Sequence, residues 1–194
     1  MNEVLINILT RRSIRLYEED QIFDTDLNLI LEAAKYAPSG SDSQSWHFTV
    51  IQNKEKLQDL NTLVKESYRN VIVDQKTYRS IKSGKKASEK DKYNFYYNAP
   101  TLIIVSNDRK YPNAVADCSA SIQNIFLASH SLGLGSCWIN QLTWFGNEPH
   151  IRRELTNLGI PEKHVVCGSA AIGYKRGDEP KPSIRKEHST TIIK

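Results

Sequence analysis

An uninterrupted apolar run, Leu102-Ile103-Ile104-Val105 within TLIIVS (101–106), constrains the fold of this chain more than any other feature. It is far too short for a membrane span and reads as a strand buried in a sheet. HVVCGSAAIG (164–173) reads as another strand, and WHFTVI (46–51) and SCWI (136–139) are shorter extended segments. Helical spacing surrounds them. Val4, Leu5, Ile8 and Leu9 mark a short amphipathic helix over 3–11. Leu27, Ile30, Leu31 and Ala34 mark a second, with Asp24 or Thr25 as its cap and Pro38 as its stop. Leu57, Leu60, Leu63 and Val64 give a stripe within 54–76. The most apolar helix, 113–132, carries Ala116, Ala120, Ile122, Ile125, Phe126, Leu127 and Ala128 and ends at Gly133. A last helix, 148–158, closes at Gly159 and Pro161. Helices come first and strands are then separated by helices, which points to an α+β fold, a sheet flanked by helices, and not to a βαβ repeat.

A length of 194 residues fits a single domain over 1–194. Within it, 77–97 stands apart: five lysines precede the aromatics Tyr93, Phe95, Tyr96 and Tyr97, and the stretch reads as a mobile excursion holding one helix. The tail from Tyr174 is rich in Pro and Lys and cannot form a core alone. Its apolar Ile192 and Ile193 need burial elsewhere, and another subunit is one candidate.

Charge and cysteine usage narrow the function classes. A net charge of +4 is too weak to imply nucleic acid. Cys118, Cys137 and Cys167 are odd in number and form no CxxC pair, which argues against a disulfide framework or a structural zinc and fits free thiols in a reducing compartment. The N-terminus has an early Glu3 and no apolar secretory core, so a soluble, cytoplasmic protein with no membrane partner is expected.

Four clusters carry candidate chemistry. Arg11-Arg12-Ser13-Ile14-Arg15 offers planar guanidinium forks that match phosphate oxygens, although a solvated basic helix end has the same composition. Ala37 to Phe48, APSGSDSQSWHF, is a small-residue loop feeding an aromatic strand, suited to close backbone approach or to an ordinary linker. LGLGSCWI (132–139) lacks the GxGxxG spacing of a dinucleotide site and is equally a helix cap plus a turn. KPSIRK (181–186) is a charged tail segment.

Taken together and in this order, with IGY ahead of the Pro/Lys/Arg tail, the four clusters resemble the nitroreductase family of FMN-dependent oxidoreductases, from Arg11 to about Lys186. The resemblance implies a three-layer α-β-α sandwich assembled as a homodimer, with FMN at the interface and NADH or NADPH as electron donor. It implies a small oxidised acceptor, nitroaromatic or quinone-like. Dehalogenation, enoyl reduction or a low-turnover flavin-binding or redox-sensing role are the alternatives. Carried over by residue, Arg11 and Ser13 hold the phosphate with Arg12 assisting, and Arg15 lies near the pyrimidine edge. Pro38, Ser39, Gly40 and Gln44 match the loop that reaches the other subunit's flavin. The backbone of Ile139, Asn140 and Gln141 faces flavin N5 and O4, and Arg185, with Lys181 second, closes the phosphate site. No protein nucleophile and no metal are required. The chain departs from the family pattern at Asp42, where Asn is usual, at Ser45, where Pro is usual, and at Asn140, where Gly is frequent.

Overall fold

A computed structural model describes residues 1–182, 184–185 and 190–194. The helices are α1 (Glu3–Thr10), α2 (Asp24–Lys35), α3 (Lys54–Asn70), α4 (Arg79–Ser88), α5 (Ala114–Ser131), α6 (Gln141–Phe145) and α7 (Pro149–Asn157). The strands are β1 (His47–Ile51), β2 (Thr101–Asp108), β3 (Gly135–Ile139) and β4 (His164–Gly173). They form one sheet in the order β1-β2-β4-β3, antiparallel at every pairing.

The apolar run of β2 is explained by its central position. Leu102 and Ile104 face a core shared with α3, α6 and α7, while Ile103 and Val105 face a second core shared with α2 and α5. Alternate residues of a strand point to opposite faces, so a strand covered on both sides must be apolar at every position. β4 keeps the same rule through a bulge. Val105 pairs with Gly168 and Ser106 with Val166, leaving Cys167 as the extra residue. The alternation therefore inverts: Val166 and Ala171 pack on the α3 side, Cys167, Ala170 and Ile172 on the α5 side. The result is the helix–sheet–helix sandwich.

Several elements differ from expectation for local reasons. α2 starts at Asp24 itself, with Phe23 at the cap position and no side-chain capping bond; Asp24 and Asp26 instead sit in the first turn, where the helix dipole favours acids. α3 stops at Asn70, not near residue 76, because Lys85 Nζ from α4 takes the carbonyls of Tyr68 (2.8 Å) and Arg69 (3.1 Å). The 77–97 stretch holds the one helix expected, α4, which buries only Ser88, but the end of the stretch is packed. Phe95 and Tyr96 are core residues, 1% and 4% exposed. Buried Asn61 fastens this stretch to α3, donating to Tyr93 O (3.1 Å) and accepting from Phe95 N (3.0 Å). α6 has only five residues, too few for periodicity to reveal. α5 does end as expected, with Gly133 in the left-handed region at φ 78°.

α1 buries no residue. It is tied to α5 by polar contacts, Asn7 Nδ2 to Leu127 O (3.0 Å) and Thr10 Oγ1 with His130 Nε2 (2.9 Å). Its apolar side chains stay exposed, Val4 by 66% and Leu9 by 56%.

Candidate functional site

The segment that follows α1 runs along the β3 edge of the sheet. Ile14 N donates to Ser136 O (3.0 Å), and Ser13 is bridged to Ser136. Further on, Tyr17 Oη donates to Ile14 O (2.6 Å) and lies 3.2 Å from Ala171 O, while Arg176 N donates to Leu16 O (3.1 Å). The chain comes this close only because β3 opens with glycine. A Cβ on Gly135 would sit 2.8 Å from Ile14 Cγ2 and 2.9 Å from Lys175 Cγ. Gly135→Ala should therefore push the segment off the sheet and destabilise the fold by ~1–3 kcal/mol, the usual range for overpacking, read as a lower denaturation midpoint.

This placement gathers the cations. Arg11 lies over the Phe126 ring, 5.6 Å from its centroid, and Arg15 over Tyr97 at 5.8 Å. Tyr97 and its neighbour Asn98 hold left-handed backbone, φ 58° and 55°. Cys137 is buried close to both guanidiniums and to Ser13; burial pushes its thiol up, and Arg15 and Arg11 oppose that rise. Burial also lowers Arg11, with repulsion from Arg12 and Arg185 adding to it. Arg12 is turned back onto α1, where Nη1 donates to Leu9 O (2.8 Å) and Arg11 O (2.7 Å). Among the described residues no ion pair engages Arg11, Arg12 or Arg15. The buried Ser136 Oγ has no hydrogen-bond partner among them either. Two half-buried guanidiniums, Arg11 and Arg12, beside the exposed Arg15, without a carboxylate partner among the described residues and next to a free hydroxyl, fit an anion with phosphate chemistry.

A trough follows this segment. One part, about 250 Å³, lies between residues 13–16 and 175–180. A second, about 190 Å³, is lined by Arg15, Lys92, Tyr97, Asn98 and Arg176, among others. Lys92, Tyr97, Asn98, Lys175 and Arg176 were missed by sequence reasoning. The signals were the density of lysine and aromatic residues before Pro100 and the Lys-rich tail after Tyr174, neither with a fixed spacing.

Of the tail residues, Arg185 is exposed but near enough to Arg11 to repel it; Lys181 is exposed. Ser183 and Lys186 of the same motif lie outside the described residues, as do 187–189.

Residues 38–44 are not brought to Arg11 within this chain. Gly40 N donates to both carboxylate oxygens of Asp117 (3.1 and 3.3 Å) in the first turn of α5, whereas Arg11 stacks on Phe126. Nine residues of helix separate these anchors, about 14 Å along the axis. Pro38 is exposed. Ser39 Oγ accepts from Gln44 N (3.1 Å), and Gln44 Nε2 donates to Asp42 Oδ1 (2.8 Å), so the unusual acid is engaged inside its own loop. At the end of β3, Ile139 is buried, Asn140 Oδ1 accepts from Trp138 Nε1 (2.7 Å) and Gln141 Nε2 reaches Tyr93 Oη (3.5 Å). His47 packs edge-on against His164, 6.1 Å between centroids, as an ordinary strand histidine.

Residues 8–174 match the model of the nitroreductase family. A putative NADH dehydrogenase/NAD(P)H nitroreductase of Archaeoglobus fulgidus is 35% identical over 185 residues, covering 92% of this chain and 89% of that protein. A nitroreductase with bound FMN from Bacteroides fragilis superposes with a TM-score of 0.90 at 43% identity, with 100% of both chains covered. A nitroreductase with bound FMN from Desulfitobacterium hafniense gives 0.84 at 29% identity, again over 100% of both chains.

Proposed function

The chain belongs to the nitroreductase family, and on that premise we propose that it is a homodimeric, FMN-dependent NAD(P)H oxidoreductase that reduces a small oxidised acceptor, nitroaromatic or quinone-like. The observation that carries this reading is the Arg11/Ser13/Arg15 group, folded onto one strand beside Cys137 with no carboxylate partner among the described residues. The FMN-bound relatives and the names of the nicotinamide-dependent ones support it.

Bound FMN supplies hydride acceptance and donation. The chain's own residues bind and orient it. Arg11 and Ser13 would take the terminal phosphate, with Arg12 adding positive charge from the helix end, and Arg185, or Lys181, would close over it. Arg15, backed by Tyr97, would supply a fixed positive charge at the pyrimidine edge, favouring the reduced flavin. The backbone of Ile139, Asn140 and Gln141 would donate toward N5 and O4. Pro38, Ser39, Gly40 and Gln44 serve the partner's site, consistent with their separation from Arg11 within a protomer. The uncovered apolar face of α1 supports the homodimer. No helix of the described chain is long and apolar enough to cross a membrane, and its three cysteines are free and buried, which supports a cytoplasmic setting.

The purified protein is expected to be yellow and to release FMN, not FAD, on denaturation. It should oxidise NADH or NADPH in the presence of nitroaromatics or quinones. A colourless protein that cannot be reconstituted with FMN would overturn the reading. FMN-loaded protein without turnover across the acceptor panel would reduce it to a flavin-binding role.

A further inference from the structure

We propose that Asp117, together with Tyr111, is a positioning residue for the cofactor: the pair clamps residues 39–44 in the conformation that meets the partner subunit's FMN. This rests on the reading above, that the loop serves the flavin site across the dimer.

The clamp is specific. Asp117 is buried, and its oxygens accept from Gly40 N (3.1 and 3.3 Å) and from Tyr111 Oη (2.8 Å). Tyr111 Oη also lies 3.1 Å from Gly40 O and accepts from Ser43 Oγ (2.9 Å). Asp117 thus holds the Gly40 N–H and Tyr111 the Ser43 hydroxyl, while Gly40 O accepts from Ser43 N (3.1 Å). The cradle leaves no room for a side chain at residue 40: a Cβ there would lie 2.2 Å from Asn113 Nδ2 and 2.7 Å from Tyr111 Oη.

The loop so held is not a piece of core. Residues 41–45 are exposed, and Ser41, Asp42 and Gln44 all carry left-handed backbone, with φ of 52°, 53° and 46°. Non-glycine residues keep such backbone only where their surroundings over-determine it. The helix dipole favours an acid in the first turn but does not replace hydrogen bonds for a buried one, so Asp117 and the loop depend on each other. Spending a buried carboxylate on an exposed, strained loop makes sense if the loop's shape is used outside its own protomer.

The test compares the FMN-loaded dimers of the wild type, Tyr111→Phe, Asp117→Asn and Arg11→Ala. Four readouts are needed: FMN dissociation constant, visible flavin spectrum, apo-protein Tm and sedimentation. Tyr111→Phe keeps the ring and removes only the hydroxyl. It should weaken FMN binding about fivefold, as the loop loses one of the bonds that fix its shape. The flavin spectrum should shift while Tm and the dimer stay unchanged. Asp117→Asn should weaken binding at least as much. Wild-type affinity and spectrum in both variants, with FMN lost from Arg11→Ala, would sink the clamp and leave the FMN reading standing. A fall in Tm for Asp117→Asn with Tyr111→Phe silent would make the contact merely structural and also overturn the proposal. Unchanged FMN affinity in Arg11→Ala as well would bring down both readings.

Discussion

Leu5→Glu combined with Leu9→Glu should turn the protein into a folded monomer that no longer retains FMN. Both side chains lie on α1, which has eight residues and buries none of them. A helix of that length is marginal in water without packing. Its contacts with α5 are polar, through Asn7 and Thr10, which leaves Val4, Leu5, Ile6, Ile8 and Leu9 facing outward. Phe23, Leu29, Tyr36 and Val115 on and around α2 and α5 are exposed as well. Burying each large apolar side chain contributes ~1.5–3 kcal/mol, and obligate interfaces cover upward of ~2,000 Å² with such groups. Two glutamates in that surface leave unpaired charges where apolar contact is needed. The protomer itself should survive, because neither leucine supports its core. Sedimentation at low micromolar concentration reads the assembly, circular dichroism the fold, and absorbance the retained flavin. An intact, FMN-loaded dimer in the double variant would refute the role of α1, and a wild-type FMN-loaded monomer would refute the dimer itself.

Arg11→Ala should weaken FMN binding by ~1.5–3 kcal/mol, the range for a hydrogen bond to a charged group, or about tenfold and more in affinity. The structure adds a reason beyond the lost contact. Arg11 is depressed by burial, opposed by Cys137 and reinforced by repulsion from Arg12 and Arg185, so an anion would relieve the repulsion on Arg11. Removing one cation relieves that repulsion in the free protein, which lowers the gain on binding a second time. The Phe126 stacking is lost too, but stability should change little, because the guanidinium has no ion-pair partner among the described residues. A titration that finds unchanged FMN affinity would show that the cluster is only a basic helix end. Rising salt should reproduce part of the effect in the wild type by screening the same charges.

Much of the fold was legible because it rests on local pattern. The run at 101–106 announced a buried strand, and β4 fell on 164–173 as read, since neither depends on a particular partner to be recognised. Gly133 ended α5 because its positive φ is a property of the residue itself. The burial of Phe95 and Tyr96 near the end of the 77–97 segment was not legible, for the opposite reason. Its lysines suggested solvent, whereas the fate of Tyr93, Phe95 and Tyr96 was decided by Asn61, more than thirty positions earlier in the chain. The length of α3 was likewise set from outside, by Lys85.

The site divides along the same line. Sequence alone determined which donors are present, because guanidinium and hydroxyl groups keep their chemistry wherever the chain places them: Arg11, Ser13 and Arg15 at alternate positions could be named before any fold was known. Only the tertiary structure decided that these three meet Cys137 and Ser136 on the sheet edge, that Arg12 turns back to α1, and that Lys92, Tyr97 and Arg176 join the same trough. It also decided that Gly135 is the residue permitting this approach and that Asp117 holds the distant loop. Side-chain chemistry is a local property, but proximity depends on how two covered faces of one sheet are packed, and that packing is the sum of contacts between residues far apart in the chain.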